Sequence, residues 1–454
     1  MSARMNARMD CKPATRRLAL PALLLMCVAL SGCGLFGKDR PKTPTIGNRE
    51  PILSRIEAGA RVDRALVNVS VVVPAPRVNE DWSQAGGTAS KSYGHLALSD
   101  APRELWRAKI AGSDKRHRLA AAPVVGGGML LAVDTDGVVH AFNADTGSRL
   151  WTYRMPVPGK NQPSAFGGGA SYSNGRVYAT NGVGDVIALN AETGEKIWSV
   201  KPSGPLRGAP TIAFNAIFVM SQDNQIFSLN AADGALQWQD SGSVGQAGVF
   251  GVAAPAAGQG SIIAGYSSGE LAAYRYENGR ELWFDALART SISTEVGALT
   301  DVDADPIIDN GRVYALGQGG RMAAYELLTG QRIWELNLAG ISTPALAGEW
   351  IFTLTDDARL LAIQRSTGKV RWLTQLQHWK NEKKKRDPIF WTGPVLAGNR
   401  LWVASSRGEV RTLDVTTGTP SLFRDIDSPV SQPPIVANQT LYLLDDDGTI
   451  HAWR

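Results

Sequence analysis

The chain has 454 residues, 44% of them hydrophobic, with a net charge of +5, and it carries 48 glycines, 24 prolines, 13 tryptophans and 3 cysteines. That apolar share excludes a wholly disordered chain. Cys11, Cys27 and Cys33 all lie at the front, which excludes a disulfide framework or a thiolate metal site in the remainder.

In chain order, Arg16 and Arg17 precede a short apolar run from Leu18 to Leu30, followed by Ser31, Gly32 and Cys33. A basic start, an apolar centre and small residues before a cut predict a secretory signal over residues 1–32, and the run is too short to span a bilayer comfortably. The Leu30-Ser31-Gly32-Cys33 tetrapeptide resembles the lipobox of bacterial lipoproteins. That resemblance implies cleavage before Cys33, acylation of it and membrane attachment through the lipid; Gly34, where inner-membrane lipoproteins carry Asp, implies the periplasmic face of the outer membrane. Export makes nucleic acid a poor partner. Residues 33–80, rich in Pro, Arg and Lys, predict a tether, with the apolar stretch Val67–Val73 left without an identified partner.

From residue 81 to 454 one phrase recurs. ALNAETGEKIW ends at Trp198, and close copies end at Trp151, Trp238, Trp283, Trp334 and Trp372; a degenerate copy puts Phe423 in the Trp place. The steps between successive positions are 47, 40, 45, 51, 38 and 51 residues, a spacing characteristic of a repeat architecture. Each phrase reads as a β-hairpin whose loop ends in a Gly free to take positive φ. Neighbours such as Ile197 and Trp198 point to opposite sides of the outer strand, which predicts burial of both sides. Three strands precede each turn and one follows it, so each unit is a four-stranded propeller blade. The last unit stops at Arg454 without its outer strand, and RELWRAKI around Trp106 stands in register to supply it. The fold class is therefore all-β: an eight-bladed β-propeller over residues 81–454, its last blade closed by an N-terminal strand, which hides both sheet edges.

Signals for chemistry are weak. Gly265-Tyr266-Ser267-Ser268-Gly269 fits G-x-S-x-G but falls at a strand-to-strand turn, where a nucleophile elbow needs a strand-to-helix turn. None of the five histidines stands at metal-ligand spacing from another, and His140 and His451 occupy matching repeat positions, which favours packing. The run from Asp301 to Asp305 has Pro306 and Arg312 where a calcium loop needs Gly and Glu. The run Asp445–Asp447 reads as a solvated turn, and Lys380, Lys383, Lys384, Lys385 and Arg386 form a basic loop that reads as a solvated face or a contact with anionic lipid or an acidic partner.

The A-x-x-x-x-T-G-x-x-x-W phrase resembles the PQQ-type propeller repeat. One family using it, the quinoprotein dehydrogenases, implies a PQQ cofactor with calcium and often a vicinal Cys pair; this chain has no such pair and little length beyond eight blades. The other, the BamB family of outer-membrane assembly lipoproteins, is similar in lipobox, linker and propeller. Ser293-Thr294-Glu295 with Leu299-Thr300-Asp301-Val302-Asp303 resembles its S-T-E … L-S-D-V-D segment. The resemblance implies no enzyme activity and no cofactor. It implies a scaffold that docks on the barrel-assembly protein BamA through Asp301 and Asp303, with Thr294 and Glu295 beside them, and assists unfolded outer-membrane β-barrel precursors. The family's second docking element is a Leu-Arg-Gly stretch; here Val249-Phe250-Gly251-Val252 holds its place, while Leu206-Arg207-Gly208 stands one blade earlier, so either the contact moves to Arg207 or it is made differently.

Overall fold

A computed structural model describes residues 60–157, 159, 161, 164–206, 208–243, 253–287 and 301–454. Eight four-stranded antiparallel sheets account for nearly all the regular structure, and the described residues include no α-helix. Blades 1 to 7 span residues 124–154, 170–200, 211–241, 256–286, 307–336, 345–375 and 391–425. Blade 8 takes three strands from residues 435–453 and its outer strand from Glu104–Lys109. In that joint Trp106 opposes Ala452, Arg107 opposes His451 and Lys109 opposes Thr449, so the two ends of the propeller share one sheet as the sequence predicts.

The second strand of each blade is buried on both faces, as in Met129–Val133, Ala216–Met220 and Thr440–Leu444, because neighbouring blades pack against both sides. The outer strands differ. Trp198 is buried but Ile197 is 44% exposed, and Leu150 and Leu422 behave likewise. The expectation that both sides of the outer strand are buried is therefore corrected: blades diverge with distance from the axis, and at the rim only the Trp side still meets a neighbour.

The recurrent phrase is explained by that contact. The indole N–H of Trp106, Trp151, Trp198, Trp238, Trp283, Trp334 and Trp372 donates to a carbonyl in the next blade's hairpin loop, that of Ala144, Ala191, Ala231, Tyr276, Leu327, Arg365 and Val415 in turn, at 2.7–3.3 Å. Three residues past each acceptor lies the repeat Gly, with φ between +68° and +78°, and an added Cβ there would stand 2.5–2.8 Å from the same indole. Gly serves twice, once for its φ and once for the absence of a side chain. The degenerate copy has the same cause. Phe423 would face the hairpin loop of blade 8, but that blade's third and fourth strands come from opposite ends of the chain and have no such loop. Phe423 instead packs edge-on against Trp402 and Trp453.

These contacts set a first prediction. Gly279→Ala puts a methyl 2.6 Å from Trp238 at φ +68° and should lower unfolding free energy by about 2–4 kcal/mol. Gly204→Ala, with nothing within 4 Å, should change it by less than about 0.5 kcal/mol. Denaturant midpoints of the two variants check this; equal midpoints would show that the Gly–Trp contact carries no stability.

The segment ahead of the blades packs on them. Val62 forms a parallel bridge with Val370 in the outer strand of blade 6, Asp63 pairs with Lys369 at 3.3 Å, and Val71 is buried in the main core cluster. Next, residues 79–98 cross the mouth of the axial channel and satisfy the inner edge strands. Trp82 exchanges backbone bonds with Val125 of blade 1 at 2.8 Å, and Ser83 accepts from Tyr172 of blade 2. Gln84 bonds Ile212 of blade 3 through both side-chain atoms. Ala89 and Ser90 accept from Ala257 and Ile308 of blades 4 and 5, Leu96 bonds blade 7, and Asn79 bonds blade 8. One strand of chain thus occupies edges that would otherwise stay unpaired.

Candidate functional site

The turns between second and third strands and the loops joining successive blades lie on one face, because every inner strand starts there. A cavity of about 410 Å³ opens on that face along the axis. Trp82 and Tyr93, with rings 4.7 Å apart, form its floor. The walls come from residues just ahead of the inner strands, including Ala122, Pro123, Pro433 and Pro434, and from Trp391 and Pro394 within the inner strand of blade 7.

The acidic run enters the cavity wall ahead of blade 5. It is not the open rim loop that its composition suggests: Asp301, Asp303 and Asp305 are all buried. The alternation explains this. Val302 and Ala304 are fully buried, Val302 against Gly265 of blade 4, and they draw the intervening carboxylates in with them. Asp301 accepts the Gln318 amide on its carbonyl at 2.8 Å, and Asp303 lines the cavity. Asp305 Oδ1 accepts the Ala254 amide at 2.7 Å, and its own amide donates to Thr343 Oγ1 at 3.0 Å, so this residue ties blades 4, 5 and 6 together. The apolar alternation at Val302 and Ala304 was the sequence signal for burial. Thr294, Glu295, Arg207, the stretch Val249–Val252 and Cys33 lie outside the described residues.

Beneath the cavity, Lys91 is fully buried. Its Nζ donates to Ala85 O at 2.9 Å and to Thr211 Oγ1 at 3.0 Å. Burial lowers its pKa to about 8 against the pull of Asp305. Burial likewise raises the Asp305 carboxyl, with Lys91 and the Ala254 amide opposing. Nothing in the local sequence marks this pair, whose members are 214 positions apart (305 − 91).

The other sequence signals resolve as structure. Ser267 of the G-x-S-x-G stretch sits in a strand-to-strand turn and donates to Asn224 Oδ1 at 2.8 Å. His140 and His451 are buried and contact Asp134 and Asp445 at 2.7 and 3.0 Å, one pair in each of two blades that meet at the joint. Asp445 is therefore not solvated as the sequence suggests. Burial pushes its carboxyl up, but hydrogen bonds from His451 and the Thr449 amide outweigh this and hold it below the usual range. Among the described residues no three His, Cys, Asp or Glu side chains converge to hold a metal ion.

Eight sheets closed by the N-terminal strand around an axial cavity define a β-propeller with its loops gathered on one face. The model of the family described as outer membrane protein assembly factor BamB matches residues 89–163, 159–374 and 376–453, and the chain belongs to that family. The BamB of Salmonella typhimurium is 26% identical over 96% of this chain and 98% of its own length. The BamB of Vibrio cholerae is 36% identical over 56% of this chain and 65% of its own. Among solved structures, BamB from Moraxella catarrhalis superimposes with a TM-score of 0.65 at 20% identity, covering 78% of this chain and 99% of that one. The quinohemoprotein alcohol dehydrogenase of Comamonas testosteroni reaches the same TM-score at 14% identity over 87% and 82%. The propeller fold is therefore shared by both classes, and the family match assigns this chain to the assembly factors and not to the dehydrogenases.

Proposed function

We propose that this protein is a non-enzymatic scaffold of outer-membrane β-barrel assembly, held to the periplasmic face of the outer membrane by a lipid on Cys33. The family match across residues 89–453 carries this reading. In it, residues 1–32 are the removed signal, residues from Cys33 onward reach from lipid to propeller, and the face bearing Asp301 and Asp303 docks on the periplasmic domains of a BamA-type protein. Thr294, Glu295 and Arg207 belong to the same contact.

Asp303 lines the axial cavity while Asp301 is wholly buried, so in this reading the cavity face around Asp303 makes the contact and Asp301 holds the segment in a fixed place. That burial also constrains the test. Arginine at either position would be forced into a packed wall and would confound docking with folding. Asp301→Asn with Asp303→Asn removes the charge at nearly constant volume and is expected to weaken co-purification with the BamA-type partner by about tenfold or more, about 1.4 kcal/mol, with an unchanged circular dichroism spectrum. Undiminished recovery of the partner would remove the acidic segment from the docking surface. Unfolded barrel precursors are received at the outer strands by strand addition. The bridge of Val62 to Val370, with the Asp63 amide bonded to the Val370 carbonyl at 2.8 Å, supports this, since an extended segment already pairs with one such edge.

A further inference from the structure

The loop between blades 6 and 7 carries the basic run as an ordered ribbon. Trp379–Asn381 pairs with Arg386–Pro388, with Trp379 opposite Pro388 and Asn381 opposite Arg386. Glu382 is turned inward at its base, where Oε1 accepts the amides of His378 and Trp379 at 3.1 Å, and Asn381 Oδ1 accepts the Lys384 amide. Lys380, Lys383, Lys384, Lys385 and Arg386 are exposed, and among the described residues none of them joins an ion pair. A second basic loop, Lys115, Arg116 and Arg118, leads into blade 1 and is also exposed.

Blades 7 and 8 stand between the two loops, and each loop sends one residue to the axial cavity. Arg118 from one and Phe390 from the foot of the other line its mouth. Phe390 is 63% exposed yet held in place: its amide donates to Ser406 Oγ at 3.0 Å and its carbonyl accepts the Ser406 amide at 2.8 Å. The cavity's own carboxylates are engaged within the fold. Asp305 faces Lys91, Asp446 accepts the Ser431 amide and hydroxyl and faces Arg118, and Asp303 also has its own contacts.

We propose that this face binds an extended acidic segment of a partner polypeptide, an apolar side chain of which enters the axial cavity beside Phe390 while its carboxylates meet the Lys380–Arg386 ribbon and the Lys115–Arg118 loop. Both parts of the surface enter the choice of partner. The ribbon's cations, which join no ion pair among the described residues, select an anion, and a cavity of about 410 Å³ with apolar walls is of the size that takes a small group or side chain. A bilayer surface would meet the cations and leave the concavity empty. The ribbon's aromatic neighbours, Trp379 and Phe390, stand at its foot, whereas insertion into lipid requires them at the tip. This site does not depend on the docking role of Asp301 and Asp303.

The test is fluorescence anisotropy on the purified full-length protein with a labelled peptide of glutamates flanking a central Phe-Leu pair. Two control peptides are run beside it, one with glutamines replacing the glutamates and one with Ser-Gly replacing Phe-Leu. The first peptide should bind with salt-sensitive affinity, and each control should bind about tenfold or more weakly. Lys383→Glu with Lys384→Glu and Lys385→Glu, all at the exposed tip, should weaken the first peptide by at least about tenfold and flatten its salt dependence; Phe390→Ser should weaken it without changing the salt slope. Unchanged binding by the triple variant overturns the proposal, as does equal binding of the Ser-Gly peptide. Capture by phosphatidylglycerol vesicles through the same lysines, with no peptide bound, would assign the ribbon to the membrane instead.

Discussion

A chain that begins at Arg107 is expected not to fold. The truncation removes Trp106 and the start of the strand Glu104–Lys109, leaving the blade 8 strand Thr449–Trp453 as an open edge. It removes the backbone pair between Arg103 and Arg454, bonded at 2.7 and 2.8 Å, and the indole bond from Trp106 to Ala144 that joins blade 8 to blade 1. It also removes residues 79–98 from the channel mouth, and with them the partners of inner-edge groups in seven blades. Trp106→Ala alone, at a site 8% exposed within the largest core cluster, should cost about 3–5 kcal/mol. Far more is lost with the segment, which exceeds the ~5–15 kcal/mol by which domains are usually stable. The expected outcome is aggregation on expression, with no cooperative thermal transition. Restoring residues 103–109 after Arg454 through a short hairpin loop, in a chain that keeps residues 60–98, should recover a cooperative transition, because the strand's place in the sheet matters and not its covalent origin. A cooperative, soluble monomer from the simple truncation would refute closure by the N-terminal strand.

Asp305→Ala should be nearly as damaging, at about 3–5 kcal/mol. Asp305 acts on buried Lys91 through space, and its loss leaves that cation uncompensated: Lys91 keeps its bonds to Ala85 and Thr211 but loses the carboxylate that raises its pKa. The buried Ala254 amide loses its acceptor as well. Lys91→Met with Asp305→Ala should cost less than the sum of the single changes. The pH dependence has a definite sign. The Lys91 pKa is about 8 in the folded protein against an ordinary 10.5, so between those values the unfolded chain binds more protons. Stability therefore gains a contribution as pH rises from about 8 to 10.5 and loses it as pH falls back through 8. The urea midpoint of wild type relative to that of Lys91→Met should rise across that window, because only the wild type carries the titrating lysine. Parallel curves would show that Lys91 does not titrate in the fold, and a loss below about 1 kcal/mol for Asp305→Ala would show that the pair is not coupled.

Much of the propeller could be read from one phrase because each Trp and Gly in it repeats a local need: an indole donor on the outer strand and a positive-φ loop residue without a side chain. Even the irregular Phe423 was informative, since it marks the one junction whose next blade has no hairpin loop to receive an indole. The exposure of Ile197 was not legible, because alternation along a strand reports which sides differ and not how far apart neighbouring blades stand at the rim. The burial of the acidic run was hidden for a related reason. Its carboxylates suggest solvent, but Val302 and Ala304 pack between blades and take Asp301, Asp303 and Asp305 in with them.

By itself the sequence determined the repeat, the blade count and the closure by Trp106, because those rest on hydrogen-bonding and steric demands that recur at fixed spacing. Only the tertiary structure decided that residues 79–98 floor the axial channel, that Asp305 acts on buried Lys91 there, and that Arg118 and Phe390 line one cavity. Those placements bring together residues hundreds of positions apart, and ring closure, which no local pattern encodes, is what makes them neighbours.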